Sequence, residues 1–351
     1  MQNNDFENRK ILVVGGAGFV GSNLTKKILN ETNKVTVVVV DNLLSSEKEN
    51  LPRDYRLQFL QGSIVDEKIL MQIDDTFDYI FHLATFHGNQ NSIFDPLQDH
   101  ENNTLTTLKL LNHIKDFHHV KKIVYSSAGC SCAEKTFDKA LATDETSPIS
   151  LIQDSPYSMS KIFGEFYATY FFRQYEAPIV RARFQNVYGP GEILGAGQWR
   201  GTISTVWRNV TPTFIYKAIL NKEIPLENEG IATRDFIFVD DICKGLMLCA
   251  LVGAQGDVYN LGSGQEVSIA SLAEKIKKYT DSQSIIKLLP KRTWDNSGKR
   301  FASITKSEQK LNFRTTTTID DGLQQTIQWT ISNINMIEQN IQKHSHNLSS
   351  Q

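Results

Sequence analysis

The chain has little of what marks several protein classes. Its 351 residues hold four cysteines, which form neither a disulfide framework nor a Cys-x-x-Cys metal pair. Neither sign of charge dominates. The 37 basic and 39 acidic residues give −2, which argues against a nucleic-acid footprint or a polybasic membrane patch. No apolar run approaches the roughly 20 residues of a membrane span. Met1 to Lys10 is polar and lacks the apolar core of a secretory leader. The expectation is a cytoplasmic protein without nucleic-acid or membrane partners and without a metal. Internal repeats are also absent.

What is present is ample length for a large α/β domain with a subdomain, or for two domains, and a glycine-rich turn. Residues Val13 to Gly21 read V-V-G-G-A-G-F-V-G after the apolar run Ile11–Val14. A second apolar run, Val35–Val40, ends in Asp41, twenty residues past Gly21. Strand, G-x-x-G-x-x-G turn, helix, strand and acid together are the physical recipe for a dinucleotide site. Gly15 permits the tight turn, Gly18 lets backbone approach a pyrophosphate, and Gly21 allows close helix–strand packing. The helix beginning near Phe19 then aims free N–H groups at phosphate. A carboxylate at Asp41 accepts from both ribose hydroxyls and repels a 2′-phosphate, so NAD is favoured as cofactor.

Further strand-like runs follow at Arg56–Leu60, Tyr79–Leu83, Lys122–Tyr125 and Ile179–Arg183. Helical patterns lie between them at Glu67–Ile73, Asn102–Phe117 and Ser158–Tyr175. This alternation implies right-handed βαβ units and a doubly wound parallel sheet, an α/β fold. After Asn186 the character changes, with a glycine-rich loop carrying Trp199 and Arg200, a strand-like return at Asp235–Val239 and a closing helix over 318–338. The expected organisation is a nucleotide domain over 8–185 with 235–260 returning to it. A smaller C-terminal substrate domain comprises 186–234 and 261–340, and 341–351 is a disordered tail.

Tyr157-Ser158-Met159-Ser160-Lys161 sets a phenol and an ammonium four apart on one helix face. A neighbouring cation favours phenolate and lowers its pKa. Such a tyrosine can remove a hydroxyl proton as a general base, an effect worth about 10²–10⁴-fold.

With these motifs the chain resembles the extended short-chain dehydrogenases/reductases, the sugar-nucleotide epimerase and dehydratase family of the UDP-galactose 4-epimerase type. Gly62–Asp66 resembles its G-D-x-x-D, His82–Thr85 its H-L-A-A, and Asn103–Leu111 its N-x-x-G-T-x-x-L-L helix. Arg183–Pro190 resembles R-x-x-N-V-Y-G-P, and Arg234–Asp241 and Tyr259–Gly264 also fit. The resemblance implies a Rossmann domain, a homodimer through a four-helix bundle and a nucleoside-diphosphate sugar as substrate. It implies NAD contacts from Gly15, Gly18, Phe19, Val20, Gly21, Asp41, Asn42, Ser63, Ile64, Leu83, Ala84, Thr85, Asn103, Tyr157 and Lys161. Ser63 stands where the family has aspartate at the adenine. Asn186, Arg234 and Arg292 match positions that grip the diphosphate, since guanidinium forks suit phosphate oxygens. Arg234 alternatively pairs with Asp235 or Asp240, and Arg292 is alternatively an exposed loop charge.

One departure is informative. In Tyr125–Cys132 the family's catalytic Ser or Thr is replaced by Ala128. Either Ser127 or Ser131 substitutes, or Tyr157 works without a hydroxyl partner; Ser127 is taken as catalytic with Tyr157 and Lys161. Cys130 and Cys132 are either small filler or reactive thiols. The Asp-Glu pair that 4,6-dehydratases place next is Gly129-Cys130 here, which disfavours elimination. The expectation is therefore an epimerase acting by transient oxidation at C4. The alternatives are a C4 dehydrogenase or ketoreductase, less favoured a 4,6-dehydratase, and a non-enzymatic nucleotide-binding protein. His87 and Ser92 are substrate-contact candidates, His87 alternatively structural. Trp199, Arg200, Trp207 and Arg208 either touch substrate or pack the subdomain, and Asp295–Arg300 is either a substrate-facing loop or a solvated turn.

Overall fold

In the computed structural model, residues 6–132, 136–296 and 298–349 are described. Seven parallel strands form the central sheet: β1 Arg9–Val14, β2 Val35–Asp41, β3 Leu57–Gln61, β4 Tyr79–His82, β5 Lys122–Ala128, β6 Ile179–Phe184 and β7 Val258–Leu261. Their order is β7-β6-β5-β4-β1-β2-β3. The strands are nearly continuous apolar runs because helices cover both faces. Side chains alternate between those faces. Ile11, Val13, Val37, Val39 and Phe81 enter one core with helix α1 (Phe19–Glu31). Leu12, Val14, Val38, Val40 and Ile80 enter the other, against α2 (Thr106–Ile114) and α3 (Pro156–Tyr175).

The order in which strands are added reverses between β1 and β4, and crevices for ligands open beyond the strand ends at such a switch point. Segment 235–260 supplies α4 (Val239–Leu251), which packs on the first core, and β7, which pairs with β6. The smaller region is built from short pairings, Asn186–Tyr188 with Phe236–Phe238 and Ile224–Glu227 with Ile286–Leu289. Helices Val210–Ile219, Ile269–Tyr279 and α5 (Ile319–Ser332) surround them.

Three expectations are corrected. The helix read over 102–117 opens as a π-helical segment, His100–Leu105, before α2. The closing helix breaks at Asn333 into α5 and α6 (Ile334–Gln342). The tail from 341 is ordered through residue 349, with α7 at Ser345–Ser349; residues 350 and 351 lie outside the described residues. Its order has a physical cause. Ile337 is buried with Leu194 and Tyr216, Ile341 packs on that cluster, and buried His344 bonds through Nε2 to the Gly195 carbonyl at 2.9 Å.

Candidate active site

A cavity of about 340 Å³ opens over the switch point, lined by the end of β1, the residues after β4 and the end of β5. The glycine turn forms its floor. Gly15 has φ +81, and a Cβ there would stand 2.5 Å from the Ala84 nitrogen; one on Gly21 would stand 2.2 Å from the Gly15 carbonyl. Gly18 begins α1 without a side-chain cap, so the first N–H groups of α1 stay available to an anion. This cradle, which a single methyl would fill, fits the pyrophosphate of NAD. Asp41 lines the same cavity. Its carboxylate accepts from Ala17 N at 3.0 Å, Leu43 N at 2.9 Å and Ser46 Oγ at 2.8 Å. Asp41 therefore ties the end of β2 to the glycine turn as well as facing the site.

Helix α3 presents the reactive pair. Ser155 caps it by accepting from Ser158 N, Pro156 fills its first turn, and Ser92 Oγ accepts from Tyr157 N at 3.1 Å. Four residues on, Lys161 is 4% exposed. Its Nζ donates to the Ser126 carbonyl at 3.0 Å and lies 5.9 Å from the Tyr157 ring centre. Burial lowers the Lys161 pKa to about 8. Burial also raises the Tyr157 phenol above the usual range, with Cys130 and Asp99 adding to the rise and Thr85 opposing it. The expected lowering of this phenol is thus corrected: desolvation dominates, and the Lys161 ammonium is held at a backbone carbonyl. The His87 ring meets Tyr157 edge-on at 6.1 Å between centres. Burial drives its pKa to about 3, followed by the charges of Arg208, Arg200 and Lys161, so the imidazole is neutral.

The cavity lining includes Gly15, Gly18, Phe19, Val20, Gly21, Asp41, Asn42, Ser63, Ile64, Leu83, Ala84, Thr85, His87, Tyr157, Lys161 and Asn186. Ser127 also lines it, but its hydroxyl is turned away and donates to Glu165 Oε1 at 2.5 Å. Glu165 is in turn bonded twice by Arg183, both at 2.8 Å. Ser127 is therefore corrected from hydroxyl partner of Tyr157 to member of a buried ion-pair cluster. Asn103 stands behind the lining, accepting from Thr85 Oγ1 at 2.9 Å and Phe86 N at 2.7 Å.

Four substrate candidates lie outside the lining. Ser92 caps α3 as described. Arg200 donates to the Leu44, Gln198 and Thr205 carbonyls. Arg234 donates to the Thr233 and Gly298 carbonyls at 2.6 Å each, while Asp235 accepts from Ser263 and Gly264. Arg292 pairs with Glu227. Arg208, Arg300, Gln185, Asn209 and Glu192 also line the cavity. Arg208 and Arg300 sit in segments for which the sequence left substrate contact open, against subdomain packing for the first and a solvated turn for the second. Gln185, Asn209 and Glu192 carried no separate signal. Cys130 lines the cavity and Cys132 is buried. Among the described residues, no three His, Cys, Asp or Glu side chains are grouped to hold a metal ion.

A model of the NAD dependent epimerase/dehydratase family matches residues 11–262. The crystal structure of the Bordetella bronchiseptica enzyme WbmF in complex with NAD+ and UDP is 56% identical, covers 99% of each chain and has a TM-score of 0.89. UDP-glucose 4-epimerase from Thermotoga maritima, solved with UDP-glucose, is 29% identical over 93% of this chain and 99% of that one, with a TM-score of 0.83. A trifunctional UDP-glucose 4,6-dehydratase/3,5-epimerase/reductase of Arabidopsis thaliana is 25% identical over 95% of this chain. The chain spans 49% of that plant enzyme's length.

Proposed function

Because the chain belongs to the NAD-dependent epimerase/dehydratase family, we propose that it is an epimerase of a UDP-sugar, acting through transient oxidation at C4. The observation that carries this reading is the lining of the cavity beside Tyr157. There Cys130 lines the cavity and, with Gly129 before it, stands where the family's dehydratases carry the two carboxyl groups that elimination of water requires, while Tyr157 and Lys161 keep the pair needed for redox at one carbon. Gly15, Gly18, Gly21 and Asp41 would hold NAD, which when bound would supply a reversible two-electron hydride acceptor. Tyr157 takes the C4 hydroxyl proton as general base and later returns it as general acid. Lys161 keeps a positive charge beside the phenol. Arg300, Asn186 and Arg208 face the cavity as the groups that bind the diphosphate, a strong grip remote from the sugar ring that leaves the ring free to turn.

The exposed aromatic stripe of α3, Phe163, Phe166 and Tyr170 at 43%, 53% and 52%, supports a homodimer through a four-helix bundle. No helix among the described residues is long and apolar enough to cross a membrane, and a cytoplasmic location is proposed. Incubating the protein with UDP-, GDP-, dTDP- and CDP-sugars in deuterated water, followed by proton NMR, tests the reading. An inverted C4 centre on a UDP-sugar, with no net NADH, is the expected result. Stoichiometric NADH with a released keto sugar would make the chain a C4 dehydrogenase, and loss of the C6 hydroxyl would make it a dehydratase.

A further inference from the structure

We propose that Thr85 is a catalytic residue: its hydroxyl replaces the one lost at Ala128 by serving as the hydrogen-bonding partner of the Tyr157 phenol. The inference rests on the role given to Tyr157 above. Four hydroxyls are close in sequence or space to the vacated position, and Ser126 donates to the His82 carbonyl at 3.0 Å. Ser127 is committed to Glu165. Ser131 is absent from the cavity lining. Thr85 and Tyr157 both line the cavity, and the Thr85 side chain is the group that opposes the burial-driven rise of the phenol.

The orientation of that hydroxyl follows from what stands behind it. Asn103 Nδ2 donates to Asp99 Oδ1 at 2.7 Å, and its Oδ1 accepts from Phe86 N. A carboxylate on one side and a backbone N–H on the other fix the amide, so its oxygen faces Thr85 Oγ1 at 2.9 Å. Thr85 therefore donates to Asn103 and offers lone pairs to the phenol O–H. When the phenol ionises, rotation about the Thr85 Cβ–Oγ1 bond moves the same hydrogen to the phenolate, and Asn103 Oδ1 keeps its bond from Phe86 N. No proton leaves Thr85; the proton bound by Tyr157 comes from the substrate hydroxyl. The charged or titratable groups facing the phenol are Lys161 from its own helix, Cys130 from the end of β5, His87 from the loop after β4, and Asp99 behind the π-helical segment. None of these four supplies a hydroxyl.

The test places 3-fluorotyrosine at position 157 of the full-length chain, whose 19F shift reports phenol ionisation and hydrogen bonding. It compares Thr85→Val, which keeps the shape, with Thr85→Ser, which keeps the hydroxyl. Valine is expected to change the 19F shift and move the ionisation midpoint upward by about one to two pH units, the size of a hydrogen bond to a charged group; serine is expected to restore both. With UDP-glucose as probe, kcat should fall about 10- to 100-fold in Thr85→Val, with KM within about twofold, and recover in Thr85→Ser. An unchanged 19F titration in a folded Thr85→Val protein overturns the proposal, as does a valine variant as active as the serine one. Tyr157→Phe run alongside separates the two claims. Full activity there means that the base assignment fails, whatever the 19F result says about the Thr85 contact.

Discussion

Ser127 and Glu165 lie 38 positions apart and share a buried hydrogen bond of 2.5 Å at the edge of the cavity. Both are 2% exposed, and Arg183 closes on the same carboxylate with two further bonds. The cluster staples α3, which carries Tyr157 and Lys161, to β5 and β6. Its members hold the reactive helix and do not touch the reacting atoms.

Removing one member should therefore cost stability before chemistry. Glu165→Gln leaves the Arg183 guanidinium buried without its counter-charge, and a loss of about 3–5 kcal/mol in urea unfolding is expected. Ser127→Ala should lose about 1–3 kcal/mol and keep turnover within about tenfold of the parent. A folded, stable Ser127→Ala protein with turnover reduced a thousandfold would restore Ser127 to the chemistry.

The glycine floor makes a binding prediction. Gly15→Ala forces a side chain into a left-handed conformation and against Ala84, and Gly21→Ala drives a methyl into the Gly15 carbonyl. Each should weaken NADH binding, followed by its fluorescence, by at least about tenfold, as expected of about 1–3 kcal/mol of backbone strain. Parental affinity in both variants would mean that the turn is not the pyrophosphate cradle.

Asp99 gives a pH dependence. It is 1% exposed, and burial pushes its carboxyl up to about 6 against hydrogen bonds from Ser160 and Asn103 and the charge of Lys161. A folded-state pKa raised above the unfolded value favours folding while the group is protonated. That contribution is complete below about pH 4 and is lost as pH rises through 6. A span of about two pH units corresponds to about 3 kcal/mol. The unfolding free energy of the parent relative to Asp99→Asn should fall by about that amount between pH 4 and 7. Parallel profiles would contradict the assignment.

The parts of the site legible in the sequence are those fixed by short-range geometry. The glycine spacing fixes the turn, and the four-residue separation of Tyr157 and Lys161 fixes their shared face on α3. The unbroken apolar runs of β1 and β2 announced strands covered on both sides. What escaped depends on partners far along the chain. Arg200 and Arg234 look like phosphate forks, but Arg200 is consumed by the carbonyl of Leu44, 156 positions away, and Arg234 by that of Gly298, 64 away. Arg292 meets Glu227. The polar tail after 341 concealed a helix because its order comes from Ile337 and His344 docking on the 194–195 loop. Thr85 read as a cofactor contact, since only the folded chain brings Asn103 up behind it.

The central claim is that the Tyr157 phenol is the base at C4, and conversion of UDP-glucose, or of whichever UDP-sugar the NMR survey identifies, by Tyr157→Phe tests it most directly. A drop in kcat of at least about a hundredfold, with NADH affinity within about threefold of the parent, is the predicted result. Turnover within about threefold of the parent in a folded, NAD-loaded Tyr157→Phe protein would contradict it.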